Sequence, residues 1–281
     1  MTSNDVVAII KKILNTKKVG HGGTLDPMAT GVLPVFTGSA TRLLECSLEG
    51  TKEYIAQVKL GIRTDTGDVT GNVVQETAVP TITAEKIEGV LAQFLGKGLQ
   101  TPPMYSALKI HGKKLYQLAR KGEEVERQPR EISIFALELL GFDQTGFRFR
   151  AECSKGTYIR VLAEDLAKAL GTVGTLAKLT RSRVGSFTLE KSFTLEEIRE
   201  NPEACSLDVL DVLPFEKLVL TEKQAWRLTS GVVTTLRGVA DGCYSLLAPS
   251  GKILLGLADV VNEMAKVRKV IHHYANNEAF V

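Results

Sequence analysis

Apolar and polar positions along this chain repeat with two different periods, and the changes of period mark out its elements. Near the start, Val6, Ile9, Ile10, Ile13 and Leu14 recur at helical spacing behind Ser3, predicting a short amphipathic helix capped by the Ser3 hydroxyl. Between residues 18 and 44 no period holds, and five glycines (Gly20, Gly22, Gly23, Gly31, Gly38) mark a loop. The period then becomes two: Tyr54, Ala56, Val58 and Leu60 alternate with Ile55, Gln57 and Lys59, as in a strand with one buried face. Thr83 opens a second helix, carrying Ile87, Val90, Leu91, Phe94 and Leu95, and Gly96 stops it. Residues 132–142 and 147–153 read as strands, the second with Phe147, Phe149, Ala151 and Cys153 on one side. A third helix follows with Ile159, Leu162, Ala163, Leu166 and Leu170 in register and Gly171 at its end.

Residues 194–197 form a capping box, and the span from Asn201-Pro202 to Pro214 reads as a linker. Beyond it the character changes. A helix opens over residues 221–224 and ends near Gly231, and short strands follow in TTLRG, YSLLAP, ILLGLADV and KVRKVIHH.

Composition changes this picture little. The 281 residues suffice for one large domain or a large and a small one, and 44% hydrophobic with 24% charged residues is ordinary for a soluble globular protein. Net charge is +3, but it is unevenly spread. Residues 101–130 carry seven basic side chains against three acidic, and residues 155–185 six against two. Such local excess suits a polyanion and equally a solvated helix face. Cys46, Cys153, Cys205 and Cys243 are far apart, and with four histidines no zinc pattern assembles, so reduced thiols and a cytoplasmic protein are expected. No apolar run approaches a membrane span.

The chemistry concentrates in KVGHGGTLDPMATGVLPVFTGSATRLL, residues 18–44. Its one carboxylate is Asp26, the sole Asp or Glu between Asp5 and Glu45, and Pro27 pushes Asp26 toward an extended conformation. His21 lies five residues before it, and Thr24, Thr30, Thr37, Ser39 and Thr41 supply neutral hydroxyls. A carboxylate in such company can act as nucleophile or base; an Asp-Pro pair also commonly just starts a turn. GHGGTLDPMATGVLP closely resembles the signature of TruB-type tRNA pseudouridine synthases, whose aspartate stands at the position of Asp26. KEYIAQVKLGIRTDTGD, MYSALK with GKKLYQLARKG, SKGTYIR and LAKLTRSRVGSF resemble the further family motifs, in family order.

The resemblance implies an α+β pseudouridine synthase fold: a central mixed, mostly antiparallel sheet flanked by helices, followed by a small β-rich PUA-like domain. It places the catalytic domain at residues 1–212 and the PUA-like RNA-binding domain at 213–281. It implies isomerisation of uridine to pseudouridine at position 55 in the T loop of tRNA, on a flipped-out nucleotide, without metal or cofactor. By resemblance Asp26 is the catalytic acid, Tyr54 stacks on the target base, and Arg160 pairs with Asp26. Tyr158 packs beside the base, Leu179 lines the uracil pocket, and His21 fills the space that the base leaves. Lys109, Lys113 and Lys114 belong to a mobile segment that closes on the RNA stem. The implied partner is the tRNA T stem-loop, with no membrane, no obligate protein partner and a monomeric state. Family members open with a strand and a Lys-Pro-x-Gly loop before a Thr-Ser pair; here Thr2-Ser3 follows Met1 directly, so that strand is missing and extra residues before Met1 are expected. Two other classes fit less well. An RNA-binding or tRNA-folding protein with impaired catalysis would not require Asp26, Tyr54 and Arg160 together, and a glycoside hydrolase commonly needs a second carboxylate that the loop does not offer.

Overall fold

The structure is a computed structural model that describes residues 1–47, 50–110 and 112–274. These residues form two compact units. The first contains Met1–Ser3, Thr24–Leu33 and Gly50–Ser192; the second contains the described residues of Asn4–Gly23, Pro34–Glu49 and Phe193–Val281.

The first unit is built on a seven-stranded sheet. Its main path runs Phe187–Thr188, Gly174–Val184, Lys52–Leu60, Gly146–Cys153, Arg130–Asp143, Gly96–Gln100, each pair antiparallel. The seventh strand, Thr30–Gly31, lies parallel to Gly174–Val184, with Thr30 opposite Thr180 and Gly31 opposite Arg181. The sheet is therefore mixed and mostly antiparallel, as expected. Tyr54, Ala56, Val58 and Leu60 are buried, and Phe147, Phe149, Ala151 and Cys153 join them in one core. The Phe147 and Phe149 rings lie 5.9 Å apart and tilted by 34°. Two helices close over this core. Ile159–Ala169 contributes Ile159, Leu162, Ala163 and Leu166, and Ala84–Gln93 contributes Ile87, Val90 and Leu91. Burying each such side chain stabilises by about 1.5–3 kcal/mol. Thr83 caps the second of these helices, accepting from the Lys86 N–H at 3.3 Å, worth about 1 kcal/mol.

On the strands beside Tyr54, Glu53 and Glu152 stand directly opposite each other. Like charges so placed repel. Each is met by its own arginine: Arg150 pairs with Glu53 at 2.6 Å and also with Glu138, and Arg183 pairs with Glu152 at 2.9 Å.

The second unit carries a five-stranded sheet ordered Glu216–Val219, Gly242–Leu247, Leu254–Val261, Met264–Val270, Thr234–Thr235. Its first pair is parallel and the rest antiparallel. The Glu222–Thr229 helix, opened as expected at residues 221–224 and there held by a capping box between Thr221 and Gln224, lays Ala225 and Leu228 on that core. A two-strand ribbon, Val19–His21 against Val35–Thr37, belongs to the same unit.

Three local expectations are corrected. Ser3 does not cap its helix: its hydroxyl accepts from the Leu25 N–H at 2.9 Å, anchoring the loop that holds Asp26. The buried apolar positions of the Ser3–Ile13 helix are Val7 and Ile10, while Val6, Ile9 and Ile13 are only half-buried on its flank. The span read as a linker contains a short helix, Val209–Val212, capped by Asp208. Val212 is buried, and Leu213 packs with Leu43, Cys46 and Leu254, so apolar side chains tie this span to a core. Glu216–Val219 is a strand that periodicity did not suggest.

Phe149 is fully enclosed at the centre of the first core. Phe149→Ala is expected to lower unfolding stability by about 3–5 kcal/mol in urea titrations; a loss below about 1 kcal/mol would contradict this packing.

Candidate active site

The segment Thr24–Leu33 is held at both ends before it can present anything. Leu25 is tied to Ser3, and the Asp26 carbonyl accepts from the Ala29 N–H at 2.9 Å, so Asp26-Pro27 does open a turn. Met28 and Ala29 pack against the core. Further on, the Val32 N–H donates to the Arg181 carbonyl at 2.8 Å, and the Thr30 and Thr180 hydroxyls meet at 3.0 Å. Gly31 is required here. Its φ is +103°, and a Cβ would lie 2.2 Å from the Arg181 carbonyl oxygen.

That anchored turn directs the Asp26 carboxylate at Arg160. Nε donates to Oδ2 at 2.8 Å and Nη2 to Oδ1 at 3.1 Å, a two-pronged contact that fixes the plane of the carboxylate. The remaining donors are used as well: Nη1 donates to the Thr66 carbonyl and Nη2 to the Tyr105 carbonyl, both at 2.7 Å. The Arg160 side chain is 4% exposed and that of Asp26 31%, so the cation is sealed in while the acid stays open to a ligand. Arg160 is the second residue of the Ile159–Ala169 helix, where a cation faces the positive end of the dipole; Asp26 supplies the anion that makes the placement tolerable.

Neighbouring loops hold the carbonyls that Arg160 needs. The Asp68 carboxylate accepts from the Thr66 hydroxyl at 3.0 Å and the Thr70 N–H at 2.9 Å, closing the turn that offers the Thr66 carbonyl. Gln100 clamps the entry to the helix, accepting from the Tyr158 N–H at 2.7 Å and donating to the Tyr158 carbonyl at 3.1 Å.

Tyr54 and Leu179 belong to the same core cluster as Ile159, 8% and 6% exposed. Burial pushes the Tyr54 phenol up to about 12; the Arg181 guanidinium pulls it down, and the Asp26 charge adds a smaller upward push. Tyr158 is half-buried beside the helix start. His21 lies in the second unit, on the ribbon opposite Val35. Lys109 and Lys114 pair across a tight hairpin, Lys109–Ile110 against Lys113–Lys114, with Lys109 and Lys113 exposed. After it, Leu115 and Leu118 turn inward, while Lys114 and Arg120 each sit 5.6 Å from the Tyr116 ring centroid. Among the described residues no group of three His, Cys, Asp or Glu could hold a metal ion, and no helix is long and apolar enough to cross a membrane.

A family profile described as the TruB family pseudouridylate synthase N-terminal domain matches residues 11–159, more than half of the chain, including Asp26 and Tyr54. The chain belongs to the TruB family. Two relatives within it are the tRNA pseudouridine synthase B of Hydrogenovibrio crunogenus, 48% identical over 78% of this chain and 71% of that protein, and that of Francisella philomiragia, 49% identical over 71% and 67%. A chain of a solved Cbf5–Nop10–Gar1 complex matches with TM-score 0.73 and 25% identity over 99% of this chain and 84% of its own length. A chain of an archaeal box H/ACA Nop10–Cbf5 complex shares the fold, with TM-score 0.70 and 24% identity over 99% and 86%. Sequence reasoning passed over three residues that build this TruB-family site. Asp68 and Arg181 stood inside the quoted motifs TDTGD and LTRSR, where the resemblance gave them no role; nothing in the sequence marked Gln100.

The Tyr54 shift carries a stability consequence. The unfolded chain releases the phenolic proton near the ordinary value of 10 while the folded chain keeps it to about 12. This contribution is therefore complete below pH 10 and is lost as pH rises through about 12, by up to about 2.7 kcal/mol. Urea midpoints at pH 9 and pH 11 should fall further for the wild type than for Tyr54→Phe; equal falls would mean that Tyr54 is not buried as described.

Proposed function

We propose that this chain converts uridine to pseudouridine in tRNA, at the T-loop uridine, position 55, and that Asp26 is the acid that meets the ribose of the everted nucleotide. The observation that carries the reading is the two-pronged Arg160–Asp26 contact, which leaves an oriented, partly exposed carboxylate over a buried cation. The relatives named tRNA pseudouridine synthase B, at 48% and 49% identity, support tRNA as the substrate.

The reaction breaks the N1–C1′ bond, turns the uracil, and joins C5 to C1′; the proton lost from C5 is balanced by one gained at N1. Asp26 serves as nucleophile at C1′ or as base at C2′. A base within a stem-loop cannot turn in place, so the nucleotide is everted at a cost of a few kcal/mol. Tyr54, Tyr158 and Leu179 line the pocket that keeps the detached uracil from water, and His21 fills the gap in the RNA. Lys109, Lys113 and Lys114 face the phosphates of the stem. No metal or cofactor takes part. Residues 1–212 form the catalytic domain and 213–281 a PUA-like RNA-binding domain, in a cytoplasmic monomer that needs no protein partner.

Purified protein should release label from C5-tritiated uridine in a T-arm stem-loop, and Asp26→Asn should slow release by on the order of 10⁴-fold. No release by the wild type, or equal release by Asp26→Asn, defeats the assignment. A protein whose role is RNA binding alone would keep full stem-loop affinity and release nothing.

A further inference from the structure

Arg181 is the largest fully enclosed side chain of the described residues, 1% exposed, and the Asp26–Arg160 pair does not account for it. A guanidinium has five N–H donors and no acceptor, so burying it is costly unless those donors are met and its charge is used. Arg181 spends its donors on both sides of Asp26. Nε donates to the Val32 carbonyl at 2.9 Å and Nη1 reaches the Thr24 carbonyl at 3.5 Å. Its main chain adds to the grip through the Val32 N–H and the close parallel passage of Gly31.

Arg181 also stands directly opposite Tyr54 on the neighbouring strand, where its positive charge pulls the Tyr54 phenol down, and the carboxylate whose charge reaches both is Asp26. A guanidinium facing a phenol can only donate to its oxygen, which directs the phenolic hydrogen away from the cation. Burial alone pulls the Arg181 pKa down, and a well-packed apolar side chain of similar volume would hold the sheet at least as well. Stability therefore does not explain a charge at this position, whereas the site in front of it does.

We propose that Arg181 is a positioning residue of the uridine-isomerising site, a second guanidinium that braces the Asp26 loop at Thr24 and Val32 and turns the Tyr54 hydroxyl hydrogen toward the bound nucleotide. The inference rests on the isomerase reading above. Lysine cannot replace it, since a single ammonium lacks the planar fork that spans two carbonyls and a phenol.

The test uses the full chain with Arg181→Lys, Tyr54→Phe and the double variant, in single-turnover tritium release from the T-arm stem-loop. Arg181→Lys should slow release by about 10²-fold, the scale of a reacting group displaced by about 1 Å. Stem-loop affinity should stay within about threefold, and the double variant should be little slower than the slower single, because both changes remove one shared contact. Losses that multiply, or a slower rate that follows weakened RNA binding, overturn the proposal. A second readout does not depend on turnover. With ring-fluorinated tyrosine, which lowers the phenol's ordinary pKa into a convenient range, ¹⁹F NMR follows Tyr54 ionisation, assigned by Tyr54→Phe. Arg181→Gln should move that midpoint upward, since the cation favouring the phenolate is gone; an unchanged midpoint overturns the proposal. If Arg181→Gln does not fold, Arg181→Lys, which keeps the charge, decides through the rate cycle. Absence of label release by the wild type would defeat the isomerase reading alone, leaving the Tyr54 midpoint to report on Arg181.

Discussion

The contact between the Asp26 carboxylate and the Arg160 guanidinium is the constraint around which the first unit is arranged. A buried cation is tolerable only when its charge is matched and its remaining donors are filled, and breaking such a pair typically costs about 3–5 kcal/mol. Arg160 meets that condition by drawing four groups from separate parts of the chain to one point: the two Asp26 oxygens and the carbonyls of Thr66 and Tyr105. The loops are thereby fixed relative to the helix, and the helix to the sheet. Because the acid is the more exposed member of the pair, the outcome is an oriented carboxylate shielded on the side of Arg160 and open on the other.

The surroundings extend the same logic outward. Asp68 shapes the turn that offers the Thr66 carbonyl to Arg160, and Gln100 reads both main-chain groups of Tyr158 at the helix entry. Arg181 braces the Asp26 loop from the neighbouring strand. Polar groups buried at this density are stabilising when all are satisfied and costly when one is missing, which makes the site stiff. Such stiffness suits the isomerisation proposed for this site, in which a detached uracil free to drift would be lost to water.

The paired strands Lys109–Ile110 and Lys113–Lys114 and the Leu115–Ala119 helix obey a different rule. Leu115 and Leu118 are buried, while Lys109 and Lys113 are exposed and Lys114 and Arg120 each sit 5.6 Å from the Tyr116 ring centroid. Cations stacked on an aromatic face keep their charge available, so this surface is suited to phosphates without being rigidly built for one.

Several things were decided by the sequence alone. Period-two alternation in 52–60 and 147–153, the 3.6-residue stripe from Ile159 to Leu170, and the caps at Thr83, Thr194 and Thr221 are local matters, settled by neighbours within a few residues, and they stand in the structure. The isolation of Asp26 among glycines and hydroxyls was equally legible, as was the family. Tertiary structure decided what depends on distant partners. It took the Ser3 hydroxyl from its own helix to Leu25, drew Val212 and Leu213 of a supposed linker into a core, and gave Asp68, Gln100 and Arg181 their work. A side chain's polar partner can lie more than 100 residues away, as Arg160 lies from Asp26, and no period in the chain encodes that meeting. Only the closing of the sheet, which sets Lys52–Leu60 between Gly174–Val184 and Gly146–Cys153, brings them within reach.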